Sequence, residues 1–333
     1  MDDGVRRRKR MKILSFGDAV SPGEYRLHSA FSSVLNFYNS SHTVTLASRK
    51  IEKGPKSVIL DTLPVSAPEL IRITTNRKLA VWLDGALLTA AKKDIYISKP
   101  RILPGSAEKL DLATKKAALQ LIREAPEKSL AFMLNKERMR FFKPGFEKKF
   151  LELFMTAGKT LASGSTTWVK NVKGAGFGFT PSGDDFTAGF LYALNVFERT
   201  RKKDISGSFG GFAVRNTPKV PGKNAGPESR GRDMSSLRRN IYSMAKGDNP
   251  ISNNFLRLAA GGFFPEHLKH FIENASKGNI KAAEKNITQI LKTGATSGAD
   301  MLTGFILCFR YRCRAVIEST SKQSLQTPCE MQS

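Results

Sequence analysis

Gly174-Ala-Gly-Phe-Gly-Phe-Thr-Pro-Ser-Gly-Asp-Asp-Phe-Thr-Ala-Gly189 is the stretch around which this sequence is organised. Its first half predicts a loop, because glycines alternate with other residues as far as Thr180-Pro181. Its second half predicts a helix, because Ser182 is a favourable N-cap, Asp185 follows at capping-box spacing, and apolar residues then recur at helical spacing. Such a helix start leaves N–H groups unpaired and carries positive dipole charge, so the stretch suits an anion.

A second copy of this helix start follows later in the chain. Ser182-Gly-Asp-Asp-Phe-Thr-Ala-Gly-Phe-Leu191 aligns with Ser297-Gly-Ala-Asp-Met-Leu-Thr-Gly-Phe-Ile306, so that the serine, both glycines, the second aspartate and the phenylalanine recur. Capping explains the serine and the aspartate. It does not explain Gly189 and Gly304, since a glycine within a helix costs roughly 1 kcal/mol relative to alanine. We therefore predict two similar helices that pack closely near their first turns, with both N-termini facing one pocket.

Composition limits the class of protein. A chain of 333 residues with 40% hydrophobic residues can bury a large core and is expected to form two domains. We find no apolar run long enough to span a bilayer and no apolar segment typical of a signal peptide, so a cytoplasmic protein is expected. The three cysteines, Cys308, Cys313 and Cys329, lack metal-binding spacing, which favours a reducing compartment.

The net charge of +25 favours anionic partners. A small anionic metabolite and a nucleic acid both fit the charge alone. The basic residues are scattered, however, and aromatic residues do not alternate with them on a readable stacking surface. No nucleic-acid-binding signature is found, so the small metabolite is the preferred partner.

The pattern along the chain predicts an α+β fold. Residues 1–10 form a basic tail, and residues 11–105 form a β-rich domain, a small barrel or sandwich, with a tight hairpin at Asp84-Gly85. A mainly α-helical domain follows over residues 106–318, with two pseudo-equivalent central helices. The other segments predicted by pattern and composition are helices over 110–125, 130–142 and 146–162, a flexible basic insertion over 199–233, and a disordered tail over 319–333.

These motifs resemble a family of bacterial and archaeal proteins that includes the AllH subunit of oxamate carbamoyltransferase. The resemblance rests on Gly178–Gly189, Pro250-Ile-Ser-Asn and Gly294–Gly304, and extends more weakly to Phe31–Asn36 and Gly54–Ile59. It implies a carbamoyl-transfer role for one subunit of a complex with two unrelated polypeptides. The implied reaction converts oxalurate and phosphate to oxamate and carbamoyl phosphate.

The predicted site has two positions for anionic groups. No nucleophile–base pair accompanies the motifs, so direct transfer between two bound substrates is expected rather than a covalent intermediate. The first anionic group is predicted to contact the backbone amides of Gly176, Gly178 and Gly183 and the hydroxyls of Thr180 and Ser182. The second is predicted to contact Thr296, Ser297 and Gly298. The expected ligands are carbamoyl phosphate, oxamate or oxalurate.

Three aspartates stand beside these positions. A capping box does not explain Asp184, so we predict that it contacts a substrate amide or a divalent cation such as Mg²⁺. Asp185 and Asp300 are predicted as capping residues first and as catalytic residues second. Because three carboxylates repel a phosphate, either a cation bridges them, or lysines compensate, or the ligand is not a phosphate. Two alternatives stay open: a non-catalytic subunit that binds an anion or a partner protein, and a nucleic-acid binder.

Overall fold

The structure is a computed structural model that describes residues 11–76, 78–176, 180–208 and 234–323. The chain forms two compact units. One comprises the described residues up to Pro100 together with Phe263–Lys269, and the other comprises those of Arg101–Gly262 and those from His270 onward. The first unit is built from strands and the second from helices, so the predicted α+β class is confirmed.

The first unit contains a single curled sheet. Its strand order is β8-β7-β6-β2-β3-β4-β5-β1-β9, and neighbouring strands are antiparallel except for the parallel pairs β4–β5 and β1–β9. Strand β8 also lies against β1, so the sheet forms a nearly closed barrel, as predicted. The strands are β1 (Ile13–Gly17), β2 (Gly23–Ala30), β3 (Val34–Tyr38), β4 (Thr43–Ser48), β5 (Ser57–Leu60), β6 (Leu70–Thr74), β7 (Leu79–Leu83), β8 (Ala86–Ala90) and β9 (Ile95–Tyr96).

The predicted hairpin joins β7 and β8. Asp84 and Gly85 have φ angles of 46° and 77°, which is the pair of positive values that a two-residue type I′ turn requires. One addition to this unit was not predicted. The segment Phe263–Lys269 belongs to it, because the Tyr96 hydroxyl donates a hydrogen bond to the carbonyl oxygen of Phe264 at 2.9 Å.

Helices make up nearly all of the regular structure after the barrel. They are α1 (Ala107–Glu124), α2 (Phe146–Ala162), α3 (Trp168–Val172), α4 (Ser182–Ser208), α5 (Met234–Ala245), α6 (Pro250–Gly261), α7 (Glu266–Lys277), α8 (Ile280–Ile290) and α9 (Ser297–Gln323). Helix α4 continues to Ser208, so the first part of the predicted insertion is helical. Residues 209–233, the basic tail 1–10 and residues 324–333 lie outside the described residues. Within the described parts, no helix has the length and apolarity needed to cross a membrane.

One predicted helix is wrong. Residues 130–142 form two short 3-10 segments, Leu130–Met133 and Lys136–Phe141. They are separated because Asn135 is extended, with φ −141° and ψ 113°, and its side chain accepts a hydrogen bond from the N–H of Glu137 at 3.0 Å. An asparagine that caps a new segment ends the previous one, which the apolar spacing alone did not reveal.

Helices α4 and α9 form the centre of the second unit, and their backbones touch. A methyl group built on Gly189 would lie 1.8 Å from the carbonyl oxygen of Met301, and one on Gly304 would lie 1.9 Å from that of Phe186. The two contacts are reciprocal, since each glycine accommodates a backbone carbonyl of the other helix. The prediction that the repeated glycines mark a close helix–helix contact is therefore confirmed. Both helices are buried all round near this crossing.

We expect Gly189→Ala to lower the free energy of unfolding by at least about 2 kcal/mol, because the new methyl group meets backbone that cannot move independently of α9. Chemical denaturation of the purified chain measures this value. The matched control is Gly158→Ala on α2, where the methyl group meets only the terminal carbon of Met133, at 3.3 Å. That control should change stability by less than about 1 kcal/mol, since alanine also favours the helix. Equal effects of the two substitutions would contradict the crossing.

Candidate functional site

Each of the two helix starts packs against the end of the preceding helix in the same way. A methyl group on Gly183 would lie 1.8 Å from the carbonyl oxygen of Val172, the last residue of α3. One on Gly298 would lie 1.9 Å from that of Ile290, the last residue of α8. The second residue of each Ser-Gly motif therefore has to be glycine, because each helix start packs directly on the end of the helix before it.

The connecting turns are also equivalent. The Ala175 N–H donates to the carbonyl of Val172 at 3.0 Å, and the Thr293 N–H donates to that of Ile290 at 2.9 Å. A glycine with positive φ follows in both cases, Gly176 at 122° and Gly294 at 62°. These glycines stand six residues before the first motif serine and three residues before the second. The repeat thus extends upstream of the motifs, but the unequal loop lengths conceal it in the sequence.

Two of the predicted anion-binding amides are used by these turns. The Gly183 N–H donates to the carbonyl of Ala175 at 2.8 Å, and the Gly298 N–H donates to that of Thr293 at 3.1 Å. Gly176 lies close to the first motif, since a methyl group on it would come within 2.6 Å of the Ser182 nitrogen. Gly178 lies outside the described residues.

The N-cap predicted at Ser182 is wrong by one residue. The Pro181 carbonyl accepts the N–H groups of Asp184 and Asp185, at 2.9 and 3.1 Å, so Pro181 occupies the cap and Ser182 is the first residue of the helix. In the second copy the Thr296 carbonyl accepts the Asp300 N–H at 2.9 Å in the same way. Asp185 and Asp300 are therefore the fourth residues of their helices, whereas a capping box uses the third. Their carboxylates interact instead with hydroxyl groups around the two helix starts.

Each motif aspartate interacts with the serine that begins the other helix. Asp185 accepts a hydrogen bond from the Thr180 hydroxyl at 3.1 Å, and the hydroxyls of Thr180 and Ser297 lie 3.2 Å apart. The Ser297 hydroxyl favours the charged form of Asp185 and so lowers its pKa. Correspondingly, the Ser182 hydroxyl favours the charged form of Asp300 and lowers its pKa. Each motif aspartate is therefore close to the serine of the other motif, although Asp300 Oδ2 has no hydrogen-bond partner among the described residues.

Burial affects the pKa values of both aspartates more than the hydroxyl groups do, and it disfavours the charged form of each carboxyl group. It raises the pKa of Asp300 to about 7, although the N–H of Leu130 donates to Oδ1 at 2.6 Å and the Ser182 and Thr296 hydroxyls also oppose the rise. Burial raises the pKa of Asp185 well above its ordinary value, and the negative charge of Asp300 raises it further. At neutral pH the pair therefore carries less than two negative charges, which weakens the electrostatic objection to an anionic ligand nearby.

A cleft of about 260 Å³ opens beside Asp184. Asp184 is only 5% exposed, and its Oδ1 accepts a hydrogen bond from the Gly174 N–H at 2.9 Å. Among the described residues its Oδ2 has no hydrogen-bond partner. The cleft is lined by residues from the α3–α4 loop, the start of α4, the α5–α6 loop and the start of α6: Lys173, Gly174, Pro181, Asp184, Gly247, Asp248, Asn249, Ser252 and Asn253.

The second helix start does not line this cleft in the described part of the chain. Thr296, Ser297 and Gly298 lie instead at the crossing, where Ser297 meets Thr180. The repeated motifs predicted one pocket for both helix starts, whereas the cleft is formed by the first helix start, α6 and their adjoining loops. In the residues that the structure describes, no group of three or more histidine, cysteine, aspartate or glutamate side chains is placed to bind a metal ion, and the Mg²⁺ prediction stays a prediction.

The wall formed by α6 was not predicted as part of the site. Asn249 caps this helix, because its side chain accepts the N–H groups of Ile251 and Ser252 at 2.9 and 3.1 Å. The Asn253 side chain fixes the preceding turn by bonding both the N–H and the carbonyl of Gly247, at 2.8 and 2.7 Å. The signal was present, since Pro250-Ile-Ser-Asn was one of the stretches that carried the family resemblance.

Comparison with known proteins gives a family match for part of the helical unit. Residues 172–309 match the family described as "Oxamate carbamoyltransferase subunit AllH". The matched region begins at the end of α3 and includes both Ser-Gly motifs and α6, so the resemblance noted in the sequence is confirmed over these residues. A search of curated proteins and a search of solved structures each gave no match.

We expect the pH dependence of stability to report the buried Asp300. Its folded-state pKa of about 7 lies above the unfolded value, so the folded protein binds this proton more tightly. The stabilisation is complete below pH about 4 and is lost as the pH rises through about 7. Between these limits the free energy of unfolding of the wild type should fall, relative to Asp300→Asn, by an amount on the order of 4 kcal/mol.

Asparagine keeps an oxygen for the Leu130 N–H and cannot ionise, so Asp300→Asn should fold. Chemical denaturation at a series of pH values measures the difference between the two proteins. The control is Asp111→Asn, which removes a carboxylate that pairs with Lys115 on the surface of α1 and should give a curve parallel to the wild type. If the curve of Asp300→Asn also runs parallel to the wild type, the assignment of a raised pKa is contradicted.

Proposed function

We propose that this chain is a substrate-binding subunit of a carbamoyltransferase complex of the oxamate carbamoyltransferase type. The match of residues 172–309 to the AllH family supports the reaction class and the presence of other subunits. The observation that carries the assignment of the site is Asp184, a nearly buried carboxylate that faces a cleft of metabolite size. In this proposal the cleft binds the carboxamide or ureido group of the substrate or product.

Asp184 is suited to accept hydrogen bonds from a substrate NH₂ group. One carboxylate oxygen is fixed by the Gly174 N–H, which holds the side chain in one orientation. The other oxygen can then accept from an amide or ureido nitrogen, and burial strengthens such a bond because little water competes with it. Carbamoyl phosphate, oxamate and oxalurate all carry such an N–H donor.

The charges around the cleft favour a ligand with both N–H donors and anionic oxygens. Lys173 supplies a cation, while Asp184 and the exposed Asp248 supply two carboxylates. A bare phosphate would be repelled by the two acids, whereas a carboxamide that also carries a carboxylate or phosphate can satisfy both signs. The overall charge of +25 increases the local concentration of such anions by long-range attraction.

The proposed reaction needs positioning more than covalent catalysis. A phosphate oxygen attacks the carbamoyl carbon of oxalurate, the C–N bond to the oxamate nitrogen breaks, and that nitrogen takes up a proton. Holding the two reactants in line and stabilising negative charge on the carbonyl oxygen accelerates such a transfer. Asp185 and Asp300 contribute as positioning residues, because they are buried where the two helix starts meet and do not line the cleft.

The anionic group that does not occupy the cleft is assigned to the hydroxyls predicted for both positions, those of Thr180 and Ser182 for the first and those of Thr296 and Ser297 for the second. Thr180, Ser182, Thr296 and Ser297 surround the carboxyl pair where the two helix starts meet. The amides of Gly183, predicted for the first group, and of Gly298, predicted for the second, are excluded from anion binding, because they donate to carbonyls of their own turns. The predicted contribution of these two glycines thus becomes steric: they let each helix start pack on the preceding helix.

We expect Asp184→Asn to weaken binding of oxamate, oxalurate or carbamoyl phosphate by roughly tenfold or more, since a charge-assisted hydrogen bond is replaced by a neutral group. Ligand-dependent thermal stabilisation of the full chain, alone and in the assembled complex, measures the affinity. Without ligand the melting temperature should be nearly unchanged, because asparagine still offers an oxygen to the Gly174 N–H.

Asp111→Asn serves as the control and should bind like the wild type, since Asp111 lies on α1 away from the cleft-lining residues. Release of carbamoyl phosphate from oxalurate and phosphate by the assembled complex tests catalysis separately. Loss of ligand stabilisation with unchanged turnover would support a non-catalytic binding subunit. A variant that unfolds without ligand would show that Asp184 is structural and would defeat the proposal.

A further inference from the structure

The wall of the cleft formed by α6 includes a hydroxyl group that has no hydrogen-bond partner among the described residues. Ser252 lies in the first turn of α6, is 2% exposed and lines the cleft. Among the residues that the structure describes, its Oγ has no hydrogen-bond partner. A buried hydroxyl without a partner destabilises the folded state, so such groups are rare in folded proteins, and one that lines a cleft is a candidate ligand contact.

Other buried helical hydroxyls in this unit do not behave in this way. Thr187 and Thr303 each donate to the carbonyl four residues earlier, those of Gly183 and Ala299, at 2.7 and 2.8 Å. That local bond is the usual solution for a hydroxyl inside a helix. Ser252, which lines the cleft, does not make this bond, so its hydroxyl stays available to a ligand there.

The remaining polar groups of the α6 start are already bonded within the chain. The amides of Ile251 and Ser252 donate to the Asn249 side chain, and the Asn253 amide donates to the Asn249 carbonyl at 3.0 Å. The Asn253 side chain bonds the backbone of Gly247. The Ser252 hydroxyl is therefore the group through which this helix start can contact a ligand, and the helix dipole favours a partly negative ligand atom there.

We infer that Ser252 is a substrate-binding residue that donates a hydrogen bond to the carbonyl oxygen of the ligand whose N–H group Asp184 accepts. A carboxamide or ureido group carries one acceptor oxygen and adjacent N–H donors, which matches a hydroxyl on one wall and a carboxylate on the other. With oxalurate bound, this oxygen belongs to the carbamoyl group, and the hydroxyl stabilises the charge that develops on it when the carbamoyl carbon is attacked. Oxamate offers an equivalent carboxamide and so reports binding at the same two side chains. The identity of the ligand rests on the proposed function, whereas the role of Ser252 comes from the cleft itself.

Ser252→Ala tests this role, with oxamate as the probe and the full chain in its assembled complex as the sample. Oxamate affinity should fall roughly tenfold, and the turnover number for oxalurate phosphorolysis should also fall, since the bond strengthens as charge develops. Without ligand, Ser252→Ala should be as stable as the wild type or more stable, because it removes an unpaired buried hydroxyl. The control is Ser276→Ala, which removes a buried hydroxyl that donates to the Glu273 carbonyl at 2.9 Å.

Ser276→Ala should keep the oxamate affinity of the wild type. If Ser252→Ala binds oxamate as tightly as the wild type while Asp184→Asn does not, the inference about Ser252 fails and the proposed function stands. A marked loss of stability of ligand-free Ser252→Ala also overturns the inference, because the hydroxyl would then be structural. Failure of the wild type to bind oxamate, oxalurate and carbamoyl phosphate overturns both proposals together.

Discussion

Backbone contact between α4 and α9 is the constraint on which the helical unit depends. Gly189 and Gly304 each leave room for a carbonyl of the opposite helix, and this contact fixes where the two helix starts meet. Because the helices touch there, Asp185 and Asp300 are buried beside the hydroxyls of the opposite motif. Asp184, the residue before Asp185, lines the cleft instead and accepts a hydrogen bond from the Gly174 N–H of the α3–α4 loop.

The sequence revealed this crossing because glycine inside a helix is unfavourable unless another backbone lies against it. It did not reveal the upstream half of the repeat, since Gly176 and Gly294 stand at different distances from their serines. It also misassigned the motif aspartates as capping residues. A capping box and a contact with another helix use the same residue types, and only the Pro181 carbonyl at the cap distinguishes them. The barrel and its hairpin were predicted because turn chemistry is local.

Only one of the polar side chains that line the cleft was predicted from the sequence. Asp184 was selected because capping did not account for it, and that inference needs only the motif. Lys173 and Ser252 come from separate parts of the sequence, and no spacing connects them until the chain is folded. Anion binding by the Gly183 and Gly298 amides was predicted because N–H groups at helix starts are generally unpaired. In this structure the two amides donate to carbonyls of the preceding turns. The general preference of anions for helix starts located the region of the site. The hydrogen bonds of individual groups determined which of them are available to a ligand.

The central claim is that a small carboxamide-bearing anion binds between the start of α4 and the start of α6. A crystal structure of the assembled complex with oxamate tests it most directly. The account predicts oxamate in the cleft, with its amide nitrogen within hydrogen-bond distance of Asp184 and its amide oxygen facing Ser252. Oxamate bound elsewhere, with no ligand between these two side chains, would contradict it.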